Sequence, residues 1–406
     1  MKLLILGLNF APELTGIGKY TWEMAEWLTA RGHDVRVVTA PPYYPAWRVA
    51  DGYSAWKYMH ETMKGVDVWR CPLYVPEKQS GLRRILHLAS FAVSSLPLMV
   101  RQLFWKPDVV FVVEPPLFCA PAAWLGSRLA GARCWLHIQD FEVDAAFELG
   151  LLPPGRLRRF VSAVERWLMR RFDRVSTISH RMIEKLNDKG VPKARQVYFP
   201  NWVGISQIHP LERASRYRRE LGIDEQCVVA LYSGNMGEKQ GLEVVIEAAE
   251  CLKDDRTIQF VLCGEGASHA RMQQMARNLA NVHWLPLQPV EKLNELLNLA
   301  DIHLLPQRTD AADLVMPSKL TGMLASGRPV IATVNEGTQI AEVIQGAGVV
   351  VPPGDSEALA AALKDLSNDP ELRRKMGEAG RNHAINHLSL DAVLSKFEQD
   401  LKVCVG

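Results

Sequence analysis

The sequence predicts an α/β protein made of two doubly wound parallel-sheet domains. Three observations carry this. At 406 residues the chain is too long for one ordinary core. Short apolar runs alternate with helical patterns, as βαβ units require. The alternation pauses at "VYFPNWVGISQIHP" (residues 197–210) and then restarts.

In the first half, Lys2–Gly7 reads as a strand, Lys19–Ala30 as a helix and Asp34–Thr39 as a strand. Strands follow at Val109–Val113, Arg133–His137 and Arg174–Ile178, with a helix over Ala120–Ala130. The second half reads as strands at Cys227–Ser233, Ile258–Cys263, Val282–Leu285, Ile302–Leu305, Val330–Thr333 and Val349–Val351. Helices are expected over Leu242–Lys253 and His269–Ala280. The domains are therefore 1–205 and 206–387. A last helical pattern, Leu390–Val403, lies in a tail (388–406) that can return to the first domain. Open α/β sheets bind ligands at the carboxyl ends of their strands, so two facing domains would hold a ligand in a central cleft.

Composition is that of a globular protein, 48% hydrophobic and 23% charged, and a net charge of +2 argues against a dedicated nucleic-acid binder. The charge is unevenly placed. Residues 1–205 carry 27 Lys and Arg against 18 Asp and Glu, a net +9; the rest carry 20 against 27, a net −7. A basic front half is expected to meet something anionic. Seven scattered cysteines without C-x-x-C support neither a zinc site nor a disulfide framework, and point to a reducing cytosol. "MKLLILGLNF" runs into a polar glycine loop instead of a signal-peptide cleavage site. The longest apolar run, Leu88–Val100, is shorter than the roughly 20 residues that span a bilayer, but can lie on a membrane surface.

Several strand ends carry candidate chemistry. "PELTGIGKYT" sets Gly16 and Gly18 between a strand and a helix, but Thr21 occupies the third glycine position of a dinucleotide fingerprint. The second strand ends in Thr39-Ala40-Pro41-Pro42, without the acidic residue that a nicotinamide dinucleotide requires. A tight turn and a backbone cradle for an anionic or sugar ligand remain. "SGNMGEKQG" places Gly234, Asn235 and Lys239 before a helix: either a diphosphate site or a turn with a solvated lysine. Gly264-Glu265-Gly266 forms another such turn. In "MPSKLTG", Ser318 can cap a helix, and Lys319 opposes the helix dipole unless an anion is bound. His137 at a strand end could hydrogen-bond a substrate hydroxyl or be structural, and Asp140 could serve as a base or orienting group. Asp140, Glu142 and Asp144 match no strong metal motif. "GRLRRFVSAVERWLMRRF" puts Leu157, Phe160, Val161, Val164 and Leu168 on one helical face beside six arginines. That helix either packs in the core with a solvated basic face or meets an anionic lipid or diphosphate-bearing acceptor.

Taken together, "PELTGIGKYT", "GNMGEKQGL", "GEG" and "PSK…ASGRPVIAT" resemble glycosyltransferase family 4, over nearly the whole chain. "TAPPYYP", "WRCPLYVP", "LHLASFAVSS" and "LHIQDFEVDA" are similar to its exopolysaccharide branch, which includes the colanic acid enzymes. The resemblance implies a GT-B fold and a retaining sugar transfer from a nucleotide sugar, GDP-linked by preference, to a lipid-linked saccharide. It implies no metal cofactor and a peripheral position at the inner face of the cytoplasmic membrane. Carried over by position, Lys239 would neutralise the donor diphosphate with the Gly234–Asn235 backbone. Gly16 and Gly18 would approach the phosphate, His137 and Asp140 the sugar. Gly264, Glu265, Ser318 and Lys319 would line the nucleotide. The chain departs from the family where Asn235 replaces an arginine, where Gln240 precedes Gly241 in place of lysine, and where Leu314 and Gly322 replace a glutamate pair. A sugar-nucleotide epimerase of the same fold and a non-catalytic nucleotide-sugar binding module are the alternatives.

Overall fold

The computed structural model describes residues 1–13, 16–77, 81–148, 155–308 and 317–406. It divides into two compact units, Met1–Pro200 with Leu394–Gly406, and Asn201–Val393.

Unit one is built on an eight-stranded sheet. Its strands are β1 (Lys2–Leu6), β2 (Asp34–Thr39), β3 (Met59–Met63), β4 (Val66–Arg70), β5 (Val109–Glu114), β6 (Arg133–Ile138), β7 (Arg174–Thr177) and β8 (Gln196–Tyr198). The order is β3-β4-β2-β1-β5-β6-β7-β8, parallel except for the β3–β4 hairpin. The helices are α1 (Gly16–Ala30), α2 (Gly81–Leu103), α3 (Ala120–Ala130), α4 (Glu142–Glu148), α5 (Arg156–Met169) and α6 (His180–Asp188). Central strands such as β5 are buried along their whole length, which is why they read as unbroken apolar runs. The β3–β4 hairpin escapes such a reading, because β3 is half exposed and carries only two methionines as apolar residues.

On one sheet face, Leu88, Phe91, Leu98 and Met99 of α2, Ala120 and Ala123 of α3 and Leu168 and Met169 of α5 share a core with Val110, Val112 and Leu136. On the other, the C-terminal helix returns. Its Phe397 stacks on Phe199 at 4.3 Å and meets Phe111 and Trp135 edge-on.

Unit two carries a six-stranded parallel sheet of β9 (Val228–Ser233), β10 (Ile258–Cys263), β11 (Val282–Leu285), β12 (Ile302–Pro306), β13 (Val330–Thr333) and β14 (Gly348–Val351). Their order is β11-β10-β9-β12-β13-β14. Its helices are α7 (Arg216–Glu220), α8 (Glu243–Cys251), α9 (His269–Met275), α10 (Leu293–Leu297), α11 (Ser318–Ala325), α12 (Gln339–Val343), α13 (Ser356–Asn368) and α14 (Pro370–His383). The last helix, α15 (Leu390–Val405), contributes residues 394–405 to unit one. Helices α8, α9 and α13 cover one face of the second sheet; α7, α10, α11 and α12 cover the other. Both sheets are thus wound on both faces, which brings the chemistry to their edges.

Candidate functional site

In unit one, α1 begins at Gly16, three residues before the sequence pattern places it. Gly16 and Gly18 therefore belong to the helix's first turn, not to a loop ahead of it. Gly16 is exposed, has φ +59°, and would face open space with a side chain. Gly18 is buried, and a Cβ there would stand 3.0 Å from the Glu13 side chain. Its missing side chain makes room for Glu13. That buried carboxylate accepts hydrogen bonds from the Tyr43 and Tyr44 backbone N–H groups (2.9 and 3.0 Å) and from Asn9 (2.9 Å). Arg70, also buried, donates to the carbonyls of Ala40 (2.9 Å) and Ala11 (2.6 Å) and to Glu61 (2.5 Å). The segments "FAPE", "APPYY" and "WRCP" are therefore one cross-linked assembly at the carboxyl ends of β1, β2 and β4.

His137 falls on the penultimate position of β6 and is 4% exposed. Its Nδ1 lies 2.9 Å from Ser176 Oγ and its Nε2 lies 2.9 Å from Gln139 Nε2. Gln139 donates to Nε2, so the ring carries its proton on Nδ1 and donates it to Ser176. Burial depresses its pKa to about 3. Both ring nitrogens thus have a side-chain neighbour at hydrogen-bond distance at the strand end. Asp140 stands exposed just beyond the strand end, before α4. Close by, and unmarked by any sequence motif, Glu114 is fully buried at the end of β5. Burial, then the negative charges of Glu142 and Glu165, push its pKa well above the ordinary range.

In unit two the glycine turns interlock. Gly234 (φ +137°) follows β9 and Gly264 (φ +144°) follows β10. A Cβ on Gly264 would lie 1.9 Å from the Gly234 carbonyl oxygen, so only glycine fits. The turns are tied by Gly234 N–H to Cys263 O (2.9 Å) and Met236 N–H to Glu265 O (2.8 Å). The Tyr232 hydroxyl donates to Asn235 O at 2.5 Å. The Asn235 and Glu265 side chains face solvent. Lys239 lies in the turn Glu238–Gln240, and its side chain falls outside the described residues.

Lys319 is the cation the structure brings to these turns. Its ammonium sits 4.3 Å from the Tyr232 ring centroid, and a Cβ on Gly234 would stand 3.9 Å from Nζ. Among the described residues no carboxylate pairs with it, and burial alone lowers its pKa from 10.5 to about 7. It also occupies the first turn of α11, where the helix dipole repels a cation and no acidic residue offsets it. Ser318 does not cap this helix. It is the first helical residue, preceded by Pro317, and no side-chain cap bond forms. A second cation, Arg308, follows β12 at the far end of the same turn: a Cβ on Gly241 would lie 2.9 Å from its Cγ. Sequence reading missed Arg308, since only the fold brings it beside Gly241. Gly322 packs toward Leu297 of α10, 3.3 Å from where its Cβ would be, while Leu314 lies outside the described residues. Among the described residues no group of three or more His, Cys, Asp or Glu is arranged to hold a metal ion.

Residues 15–202 match the family described as "Glycosyl transferase 4-like domain", and residues 214–383 "Glycosyl transferases group 1". The chain is 45% identical over 412 residues to WcaI of Escherichia coli (strain K12), whose name assigns it to colanic acid biosynthesis as a glycosyl transferase. That match covers 99% of this chain and 100% of WcaI. Among solved structures it resembles sucrose-phosphate synthase of Thermosynechococcus elongatus, with TM-score 0.75, 18% identity and 99% of each chain covered. It also resembles HepE of Anabaena in complex with UDP and glucose, with TM-score 0.69, 16% identity and 99% of each chain covered. Two doubly wound sheets in tandem, with glycine turns and a half-buried lysine at the strand ends of the second, define a nucleotide-sugar-dependent glycosyltransferase of GT-B fold. The chain belongs to glycosyltransferase family 4.

Proposed function

We propose that this enzyme transfers a sugar, with retention, from a GDP-linked donor to a lipid-linked saccharide in assembly of a colanic-acid-like exopolysaccharide. The observation that carries the donor side is Lys319, a half-buried cation that pairs with no carboxylate among the described residues, poised over the Gly234 turn. As the bond from the sugar's anomeric carbon to the diphosphate breaks, negative charge grows on the leaving oxygen. Lys319 stabilises that charge, with Arg308, the turn's backbone N–H groups and Lys239 as its neighbours. The acceptor hydroxyl attacks the same face, its oxygen bonds to the anomeric carbon, and its proton passes to the departing diphosphate. Positioning and charge stabilisation supply the rate, without a metal. Asp140 remains the accessible carboxylate of unit one for orienting the sugar or acceptor.

The acceptor side rests on an exposed apolar face of unit one. Along α2, Leu82, Leu86, Val93, Leu96 and Val100 form one stripe of exposed side chains, with exposed Phe104 just past the helix end. Leu125 and Leu129 of α3 and Leu157, Phe160, Val164 and Trp167 of α5 are exposed as well. The three helices pack on one sheet face, α3 touching α5 through Trp124 and Trp167 at 5.8 Å. The apolar face of α5 expected in the core is thus largely outside it; of that set only Leu168 is buried. Arg156, Arg158, Arg159 and Arg166 flank the face. No helix among the described residues is long and apolar enough to cross a membrane. A broad apolar plane rimmed by arginine suits the surface of an anionic bilayer, where a lipid-linked acceptor resides. We assign the enzyme to the inner face of the cytoplasmic membrane, where nucleotide sugars are made.

A thermal-shift comparison of GDP, UDP and dTDP tests the donor, since ligands of the folded state raise its melting temperature. GDP is expected to give the largest rise, and a larger rise with UDP or dTDP refutes the guanine assignment. Turnover with lipid-linked acceptor is expected to survive EDTA and yield a product of unchanged anomeric configuration.

A further inference from the structure

We propose that unit two carries a second anion site, at the opposite edge of its sheet, built to take a phosphate-bearing small molecule. A cavity of about 580 Å³ opens there, lined by Arg328, Arg373, Arg374 and Arg381 together with Asp301 and Glu378. Its volume is in the range of small-molecule sites.

The charges in this cavity do not balance. Asp301 is committed to Arg218 (2.5 Å) and to the Val229 N–H (2.8 Å). Glu378 is committed to Arg374, which also holds Glu371. The other three arginines find no carboxylate among the described residues. Arg381 donates to the carbonyls of Ile208 and Ala325 (2.6 Å each), and Arg373 to those of Leu366 and Ser367. Arg328 is poorest: its Nε is buried without a hydrogen-bond partner. Burial disfavours its charge most, Asp301 favours it, and Arg218 and Arg373 oppose it. A guanidinium stays protonated at any physiological pH, so the cavity holds converging cations that lack a counter-ion. Phosphate oxygens match the guanidinium fork and would satisfy the orphaned N–H.

The site is separate from the donor turns. Asp301 precedes β12 and Arg328 precedes β13, so the cavity lies at the amino edge of the sheet, whereas Gly234 and Gly264 follow their strands at the carboxyl edge. Helix α11 runs between them, with Lys319 in its first turn and Ala325, whose carbonyl Arg381 holds, at its end. Six rises of about 1.5 Å each set these two residues about 9 Å apart along the helix.

The test is hydrogen–deuterium exchange of the full chain with inorganic pyrophosphate, and separately with phosphatidylglycerol vesicles. Pyrophosphate is expected to protect peptides covering 325–330 and 370–383 as well as those of the Gly234 turn. Absence of protection at 325–330 and 370–383 overturns the proposal, as does protection there by vesicles alone, which would make the pocket a lipid site. Arg328→Met is expected to weaken pyrophosphate binding at this site at least tenfold, to leave nucleoside diphosphate binding unchanged, and to raise the melting temperature of the ligand-free protein. Lys319→Met is expected to do the reverse, removing protection at Gly234 and keeping it at 325–330. A donor reading that fails would therefore leave this site standing.

Discussion

Replacing Lys319 with methionine tests the donor assignment most directly, because the structure fixes the sign of two opposite effects. In the ligand-free protein Lys319 is a half-buried cation over an aromatic ring that pairs with no carboxylate among the described residues, and its pKa is lowered to about 7. A lysine depressed in the folded state takes up fewer protons than the same lysine in the unfolded chain. Stability from this group therefore rises with pH between about 7 and the ordinary 10.5, by up to about 1.4 kcal/mol per unit. Nucleoside diphosphate affinity must run the other way. Only the ammonium form attracts the diphosphate, and above pH 7 the free protein must first gain a proton. Affinity then falls by up to about tenfold per unit from pH 7 to 9, a window in which terminal phosphates are fully ionised.

A hydrogen bond involving a charged group contributes about 1.5–3 kcal/mol, so Lys319→Met is expected to weaken GDP binding by about 10- to 150-fold. It should also flatten the pH dependence of binding and raise the melting temperature of the ligand-free protein. Isothermal titration calorimetry at pH 7, 8 and 9, with thermal unfolding at the same pH values, measures all three. Equal GDP affinity for variant and wild type, or a wild-type affinity that is flat from pH 7 to 9, would refute the reasoning.

Three further outcomes are expected. Leu96→Asp combined with Phe160→Asp removes two exposed anchors, each contributing about 1.5–3 kcal/mol when buried in lipid. Flotation on phosphatidylglycerol vesicles should drop at least about 100-fold with an unchanged melting temperature, and undiminished flotation would show that another surface binds. His137→Ala removes the buried ring that meets Ser176 and Gln139 and should cost about 1–3 kcal/mol in urea unfolding. The pH profile of kcat/KM should keep its shape, whereas loss of a titration near neutrality would restore the histidine as an acid or base. Gly264→Ala drives a Cβ into the Gly234 carbonyl and should abolish folding of the turn, while Gly16→Ala, which meets open space, should cost only about 1 kcal/mol for its positive φ.

What the sequence showed follows from what local pattern can encode. Buried parallel strands must be apolar throughout, so β1, β5, β9 and β10 stood out as runs. The glycines at 234 and 264 stood out because both have a positive φ, and at 264 a side chain would also strike the Gly234 backbone. The β3–β4 hairpin was hidden because an exposed edge strand needs few apolar residues. The neighbours of His137 were hidden because Ser176 lies on another strand, 39 residues away in sequence. The face of α5 misled for a related reason. Helical periodicity reveals an apolar stripe but not what covers it, and here that stripe is exposed.

The departures of this chain from the family's usual turn resolve once the fold is known. A diphosphate leaving group needs positive charge where its oxygens gather, and the family pattern supplies it within one segment, at the positions held here by Asn235 and Gln240. Neither residue is a cation, and the Asn235 side chain faces solvent. The charge arrives from another strand end, that of β12, instead. Lys319, after β12 and at the start of α11, reaches the Gly234 end of the turn, and Arg308, directly after β12, abuts its Gly241 end. Two substitutions that look like losses in a linear motif are thus matched in space by two cations from a neighbouring connection. If that replacement is real, restoring the family residue should make Lys319 partly redundant. Asn235→Arg in the Lys319→Met background is then expected to recover at least tenfold of the lost GDP affinity, measured by calorimetry at pH 8. Its recovered affinity should no longer depend on pH between 7 and 9, because an arginine does not titrate there. No recovery would mean that the two positions serve different phosphate oxygens, and that Lys319 has a role of its own instead of a borrowed one.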